Sequence, residues 1–342
     1  MDTNLLKQTA QSMVSPGKGL LAADESAKTI QKRFDKINLT STPETNLAYR
    51  KMLFSTPGVE EYISGIILFD ETIRQQIDGK SMCQYLSDKG IMPGIKVDKG
   101  AVDFEGHFGP ARNVTQSVAG GEKVTEGLDG LDERMKEYEA MGAKFAKWRA
   151  VITIGEGIPT DECLMENAKR LAEYALICQQ NNIVPIVEPE VLLDGDHTIE
   201  QCFEAEVRTL TKVFEELKNR GVDLEGMILK PSMVMSGKDS SIQADSKKVA
   251  NLTTEALKNS VPAEVPGVAF LSGGQSDESA IENLSEIAKI GGPWTLTFSY
   301  SRGLQNAPMM IWAGKEENVK AAQDEFLKRC QKASLARQDQ IT

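Results

Sequence analysis

Histidine is almost absent from this 342-residue chain. His107 and His197 are the only two, both in polar or glycine-containing stretches, so a metal centre built on several imidazoles cannot be assembled from it. Cysteine is sparse and unpatterned. Cys83, Cys163, Cys178, Cys202 and Cys330 form an odd set without CxxC spacing, which argues against a disulfide framework and a zinc-thiolate site and leaves reduced thiols packed in helices. No apolar run approaches a membrane span, and Met1 to Ala10 carries no core of signal-peptide length. A cytoplasmic protein with no membrane contact is the expectation. Positive charge is in deficit: 39 Lys and Arg against 50 Asp and Glu leave a net charge of -11. That balance argues against a general nucleic-acid or anionic-membrane binder, while leaving room for a local cationic pocket. No internal repeat, low-complexity block or linker divides the sequence, so one domain over 1–342 is expected.

What is present is alternation. Strand-like apolar runs recur between helical patterns at Gly19 to Ala23, Ile63 to Phe69, Pro93 to Val97, Phe145 to Val151, Ile183 to Val187, Met227 to Leu229, Gly267 to Leu271 and Trp294 to Tyr300. Eight strands alternating with helices predict an α/β fold, a closed (β/α)8 TIM barrel whose strands are covered on both sides. The helices are well signalled. Ile199, Phe203, Val207, Leu210, Phe214 and Leu217 form a stripe at helical spacing, opened by Thr198 with Gln201 three residues on and closed by Gly221. Almost every proposed strand ends in a polar or charged residue: Asp24, Asp70, Lys96, Lys147 with Arg149, Glu188 with Glu190, Lys230, Ser272, and Arg302 just past the last. C-terminal strand ends converge on the active site in this architecture, so these side chains are expected to meet in one pocket.

Among them, Lys230 stands out because it closes the apolar run from Gly226 to Leu229 and precedes Pro231. Burial disfavours an ammonium, and a neighbouring cation such as Lys147 would disfavour it further. A lysine made neutral in this way is a nucleophile whose obvious chemistry is attack on a ketone or aldehyde to form a Schiff base. Side chains alternate along a strand, so Lys147 and Arg149 share one face, as do Glu188 and Glu190 on the next. Such rows can build a catalytic site or only a structural ion-pair network. In the catalytic reading a carboxyl group with a raised pKa moves the protons, with Asp24 as a further base. Ser272, Gly273, Gly274 and Gln275 follow a strand and precede a helical segment from Asp277 to Lys289, a place where backbone N–H groups can meet a phosphate. Arg302 strengthens that reading. Lys96 with Lys32 and Arg33 could hold a second anion across the mouth, although a solvated helix face also explains Lys32 and Arg33.

These residues resemble class I fructose-bisphosphate aldolase, the Schiff-base family. The runs that carry the resemblance are LAADES (Leu21 to Ser26), GIKVDKG (Gly94 to Gly100), FAKWR (Phe145 to Arg149), ICQQN with IVPIVEPE (Ile177 to Asn181 and Ile183 to Glu190), LKP (Leu229 to Pro231), FLSGGQS (Phe270 to Ser276) and LTFSYSR (Leu296 to Arg302). The resemblance implies reversible cleavage of fructose 1,6-bisphosphate to dihydroxyacetone phosphate and glyceraldehyde 3-phosphate, with no metal or other cofactor, by a cytoplasmic homotetramer. It implies Lys230 as the Schiff-base lysine, Glu188 as principal proton carrier and Asp24 as the group at the C4 hydroxyl. Lys147 would polarise the site, Glu190 would complete the catalytic set, and Arg149 would be a substrate-binding residue. Ser272, Gly273, Gly274, Ser299 and Arg302 match positions holding the 1-phosphate, and Arg33, Lys96 and Thr29 the region holding the 6-phosphate. A ketose 1-phosphate-preferring or transaldolase-like Schiff-base enzyme is the alternative.

The sequence departs from the family pattern in four places. Ala27, Lys28 and Thr29 replace a Thr-Gly-Ser run, and Ser301 replaces a glycine, which would be strained if the position requires positive φ. The segment from Asp103 to Gly121 is longer than usual and reads as a surface loop. Eukaryotic members end in a tail with a terminal tyrosine that assists proton exchange on the enamine, whereas this sequence closes on Ile341 and Thr342.

Overall fold

The structure is a computed structural model that describes residues 1–105 and 121–338. Eight parallel strands close into a barrel: β1 (Gly19–Ala23), β2 (Ile63–Leu68), β3 (Met92–Lys96), β4 (Phe145–Ile152), β5 (Val184–Val191), β6 (Ile228–Leu229), β7 (Gly267–Phe270) and β8 (Thr295–Tyr300). Each pairs with the next in sequence, and β8 returns to β1. All eight coincide with the expected apolar runs to within a few residues at each end.

Period-two alternation explains why the barrel is apolar at one end and charged at the other. One face of β1 carries Leu20, Ala22 and then Asp24; the matching face of β5 carries Val184, Ile186, Glu188 and Glu190. The lower residues of these faces pack with Ile67, Phe145, Ile228 and Ala269 into an interior cluster, and Leu6, Ala10 and Met13 of α1 (Thr3–Met13) join it. Hence α1 closes the floor. Room for the fully buried Phe145 ring comes from β3, where a Cβ on Gly94 would lie 2.2 Å from Phe145 Cε2. The opposite strand faces meet the surrounding helices in a second, larger cluster that includes Trp148, Val187 and Leu229.

Five further helices bear on the site: α2 (Ala27–Phe34), α3 (Asp161–Gln180), α4 (Ile199–Asn219), α5 (Asp277–Ile290) and α6 (Arg302–Trp312). The Thr198 hydroxyl and Gln201 side chain cap α4 reciprocally, the arrangement their spacing predicts. All five cysteines are free, buried and helical.

Two antiparallel hairpins were not legible, Gln76–Ile77 with Lys80–Ser81 and Gly100–Asp103 with Lys123–Glu126, because strands of two to four residues are too short to show a period. The surface loop expected from Asp103 to Gly121 lies, between its ends, outside the described residues, as do His107 and the terminal Ile341 and Thr342. Among the described residues no helix is long and apolar enough to cross a membrane.

Candidate active site

A cavity of about 570 Å³ opens at the C-terminal ends of the strands. Thr29, Arg33, Lys96, Lys147, Arg149, Glu188, Glu190, Lys230, Ser272, Gly273, Ser299, Arg302 and Asp24 all line it. Gly274 stands just behind, where an added Cβ would be 3.8 Å from Arg302 Nη2. Asp70 is a correction to the expected convergence. Its side chain turns out to the surface, ion-pairs with Arg74 at 2.9 Å and accepts from the Tyr138 hydroxyl, because Phe69 leaves the strand and Asp70 opens a short helix.

The centre of the cavity is one chain of charges. Lys230 Nζ lies 3.1 Å from Glu188 Oε1, Glu188 Oε2 lies 3.4 Å from Lys147 Nζ, and Lys147 Nζ lies 2.6 Å from Asp24 Oδ2. Lys147, Glu188 and Lys230 are almost wholly buried. Their placement follows from the strand parity: Lys147 and Arg149 continue the inward face of Phe145, and Arg149 is paired in register with Glu188. Arg149 Nε pairs with Glu190 Oε2, and Lys96 pairs with Asp98 at 2.7 Å.

The cations set the ionisation of the carboxyl groups, in the direction opposite to the raised carboxyl expected from burial alone. Burial pushes the Glu188 carboxyl upward, but Lys230, Lys147 and Arg149 together outweigh it and hold the group below its ordinary value. Asp24 follows the same balance more strongly, with Lys147 and Lys230 overcoming its burial. Lys147 in turn is pushed up despite burial, because Asp24, Glu188 and Asp98 surround its ammonium. In the resting site Asp24 and Glu188 are therefore carboxylates and Lys147 is a cation. Among the described residues Ser299 Oγ, buried in this wall, has no hydrogen-bond partner, and Glu188 Oε2 has only its ion pair with Lys147, an arrangement unusual for buried polar atoms outside functional sites.

The rim is built for anions. Among the described residues, eight cationic side chains line the cavity against five acidic ones, a local excess of positive charge in an acidic protein. At one side the SGGQ turn has Gly273 and Gly274 at φ +44° and +90°, a backbone that glycine adopts without strain, and Ser276 then caps α5. Arg302, the first residue of α6, faces this turn. At the other side Thr29 and Arg33 come from α2, whose cap is Ser26. Arg33 is not a solvated helix charge: it ion-pairs with Glu25 at 2.5 Å. Lys32 is exposed as expected, yet it too lines the cavity.

Glu25, Asp98 and Ser301 belong to the wall but were missed as site residues. Asp98 was accessible to reasoning, since it sits two residues beyond Lys96. Glu25 was not, because its second partner, Arg50, comes from the helix Pro43–Phe54, and no local pattern marks that arginine as buried. Ser301 adopts φ -108°, so the position does not require positive φ and the strain that condition would have brought does not arise.

Fold and site together define a barrel enzyme for an anionic carbonyl compound. The family model for class-I fructose-bisphosphate aldolase matches residues 5–342. A probable fructose-bisphosphate aldolase class 1 from Xanthomonas campestris is 49% identical over 341 residues, covering 98% of both chains. The cytosolic fructose-bisphosphate aldolase 4 of Arabidopsis thaliana is 49% identical over 94% of this chain and 80% of its own length. Among solved structures, fructose-bisphosphate aldolase from Plasmodium falciparum, in complex with TRAP and a small-molecule inhibitor, superposes with a TM-score of 0.93 at 47% identity, covering 99% of this chain and 95% of its own. The chain belongs to the class-I fructose-bisphosphate aldolase family, and is a lyase of that family.

Proposed function

We propose that this protein cleaves fructose 1,6-bisphosphate reversibly through a Schiff base on Lys230. The observation that carries the residue roles is the continuous contact from Lys230 through Glu188 and Lys147 to Asp24. Lys230 must lose a proton before it attacks, and Glu188, 3.1 Å away, is the carboxylate placed to take it. Attack of Nζ on the C2 ketone gives a carbinolamine. The proton held by Glu188 then passes to the C2 hydroxyl, which departs as water and leaves an iminium. That cation draws the electron pair of the C3–C4 bond while Asp24 assists removal of the C4 hydroxyl proton. Glyceraldehyde 3-phosphate is released as the aldehyde, and an enamine remains. The proton taken by Asp24 is relayed through Lys147, which touches both carboxylates, to Glu188, and Glu188 delivers it to C3; hydrolysis of the iminium then returns Lys230 and dihydroxyacetone phosphate.

Lys147 stays charged and keeps Asp24 and Glu188 ionised between proton transfers. Glu190 holds Arg149 through one carboxyl oxygen, and its other, Oε1, would lie 3.8 Å from a Cβ on Gly273 of the SGGQ turn. Ser272, Gly273, Gly274, Ser299 and Arg302 would receive the 1-phosphate; Arg33, Lys96 and Thr29 would receive the 6-phosphate. The unpartnered Ser299 Oγ supports the first assignment.

The reading is tested by borohydride reduction in the presence of dihydroxyacetone phosphate, followed by peptide mass mapping. One adduct on Lys230 is expected, formed equally in EDTA, since among the described residues no three His, Cys, Asp or Glu side chains are grouped to hold a metal ion. An adduct on Lys147 or Lys96, or trapping that requires added zinc, would overturn it. Family membership also supports a cytoplasmic homotetramer; light scattering on the purified protein should give four times the 37.5 kDa chain mass, and a monomer would refute that assembly.

A further inference from the structure

Ser301 occupies the junction between the two sides of the cavity. It is the residue before Arg302, and its backbone carbonyl accepts from the N–H groups of Leu304 and Gln305 at the start of α6. Its hydroxyl reaches the opposite side. Ser301 Oγ donates to Glu25 Oε1 at 2.9 Å, accepts from Arg33 Nη2 at 2.9 Å and accepts from Gln305 Nε2 at 3.1 Å. A hydroxyl has one proton and two lone pairs, and all three are used. Glu25 is shared as well, pairing with Arg33 Nη1 on one oxygen and with the buried Arg50 on the other. The Arg33 guanidinium, which lines the cavity, is thus held by two of its nitrogens, one on Glu25 and one on Ser301.

We propose that Ser301 is a positioning residue for Arg33, and that through it this enzyme selects ketose bisphosphates over ketose monophosphates. The inference rests on the placement of Arg33 at the 6-phosphate under the function proposed above. A guanidinium fork fixed at two points loses little freedom when a phosphate binds, whereas one pinned only through Nη1 can swing about that contact. Glycine or alanine at this position supplies no acceptor for Nη2. Arg302 and the SGGQ turn do not depend on the hydroxyl, so the 1-phosphate side is left as it is.

The test compares fructose 1,6-bisphosphate with fructose 1-phosphate in Ser301→Ala, Ser301→Gly, Arg33→Ala and the double variant Ser301→Ala with Arg33→Ala. Removing the hydroxyl should raise KM for the bisphosphate by about threefold to tenfold, with kcat within about twofold, because a second-point contact on a charged donor is lost while the ion pair remains. KM for the monophosphate should not move, and this reaction also reports that the variants are folded. In the Arg33→Ala background the serine substitution should have no further effect. Equal losses on both substrates, a fall in kcat, disagreement between the alanine and glycine variants, or additivity in the double variant would each overturn the positioning role. If Arg33→Ala is selective for the bisphosphate and Ser301→Ala is silent, this inference alone fails. If Arg33→Ala weakens both substrates equally, the 6-phosphate assignment itself is wrong, and this inference falls with it.

Discussion

Lys230→Met should lower kcat/KM for fructose 1,6-bisphosphate by about 10⁵-fold or more, the scale seen when a covalent nucleophile is removed from an otherwise intact site. Methionine keeps the length and apolar stem of lysine but has no amine, so neither carbinolamine nor iminium can form. The fold should tolerate the change. Glu188 loses one cationic partner yet keeps Lys147 at 3.4 Å, so the cost should be below the roughly 3–5 kcal/mol of stranding a buried charge. Thermal unfolding of the variant separates the two effects: a midpoint near that of the parent protein with activity gone places the loss in chemistry. Residual activity within about a hundredfold of the parent, well short of what removal of a nucleophile costs, would show that another amine forms the adduct.

How far the sequence reached into this site follows from the same strand geometry. Period-two alternation needs no tertiary information, so spacing alone puts Lys147 with Arg149 and Glu188 with Glu190 on shared faces, and the barrel then aims those faces inward. The eight strands were legible for a similar reason, each being an apolar run between helical patterns. Asp70 shows where such reasoning stops. A charge one residue past a strand can continue the inward face or begin the next helix, and for Asp70 the helix won. Partner choice was also hidden. Nothing local in LAADES indicates that Glu25 pairs with Arg33 and Arg50, because that contact is set by how α2 and the Pro43–Phe54 helix dock on the barrel. The raised carboxyl expected for proton transfer failed on the same point: burial was foreseeable from the apolar neighbours, but the three cations around Glu188 depend on barrel register.

That ionised state makes Glu188 the second residue whose loss should be severe. Among the described residues, Glu188 is the carboxylate that ion-pairs with Lys230, and it is joined to Lys147 as well. Glutamine preserves the shape and can still accept a hydrogen bond from either lysine through its amide oxygen, but it cannot take a proton from Lys230 or return one to the C2 hydroxyl. Glu188→Gln is therefore expected to slow Schiff-base formation by about 10² to 10⁴-fold, the usual contribution of a positioned acid–base group. Single-turnover borohydride trapping measures that step directly. KM should change much less, since the phosphates are held by other residues. The parent enzyme carries a matching pH signature. Lys230, Lys147 and Arg149 hold the Glu188 carboxyl below its ordinary 4.5, so its basic form persists as pH is lowered from neutrality and is lost only as pH falls through that depressed value. Trapping rates in the parent protein should accordingly hold up as pH falls to about 4.5, where a glutamate at its ordinary value would already be half protonated. Equal trapping rates for Glu188→Gln and the parent would mean that the carboxylate only bridges two buried lysines, and the proton path from Lys230 would have to be assigned to Asp24 through Lys147 instead.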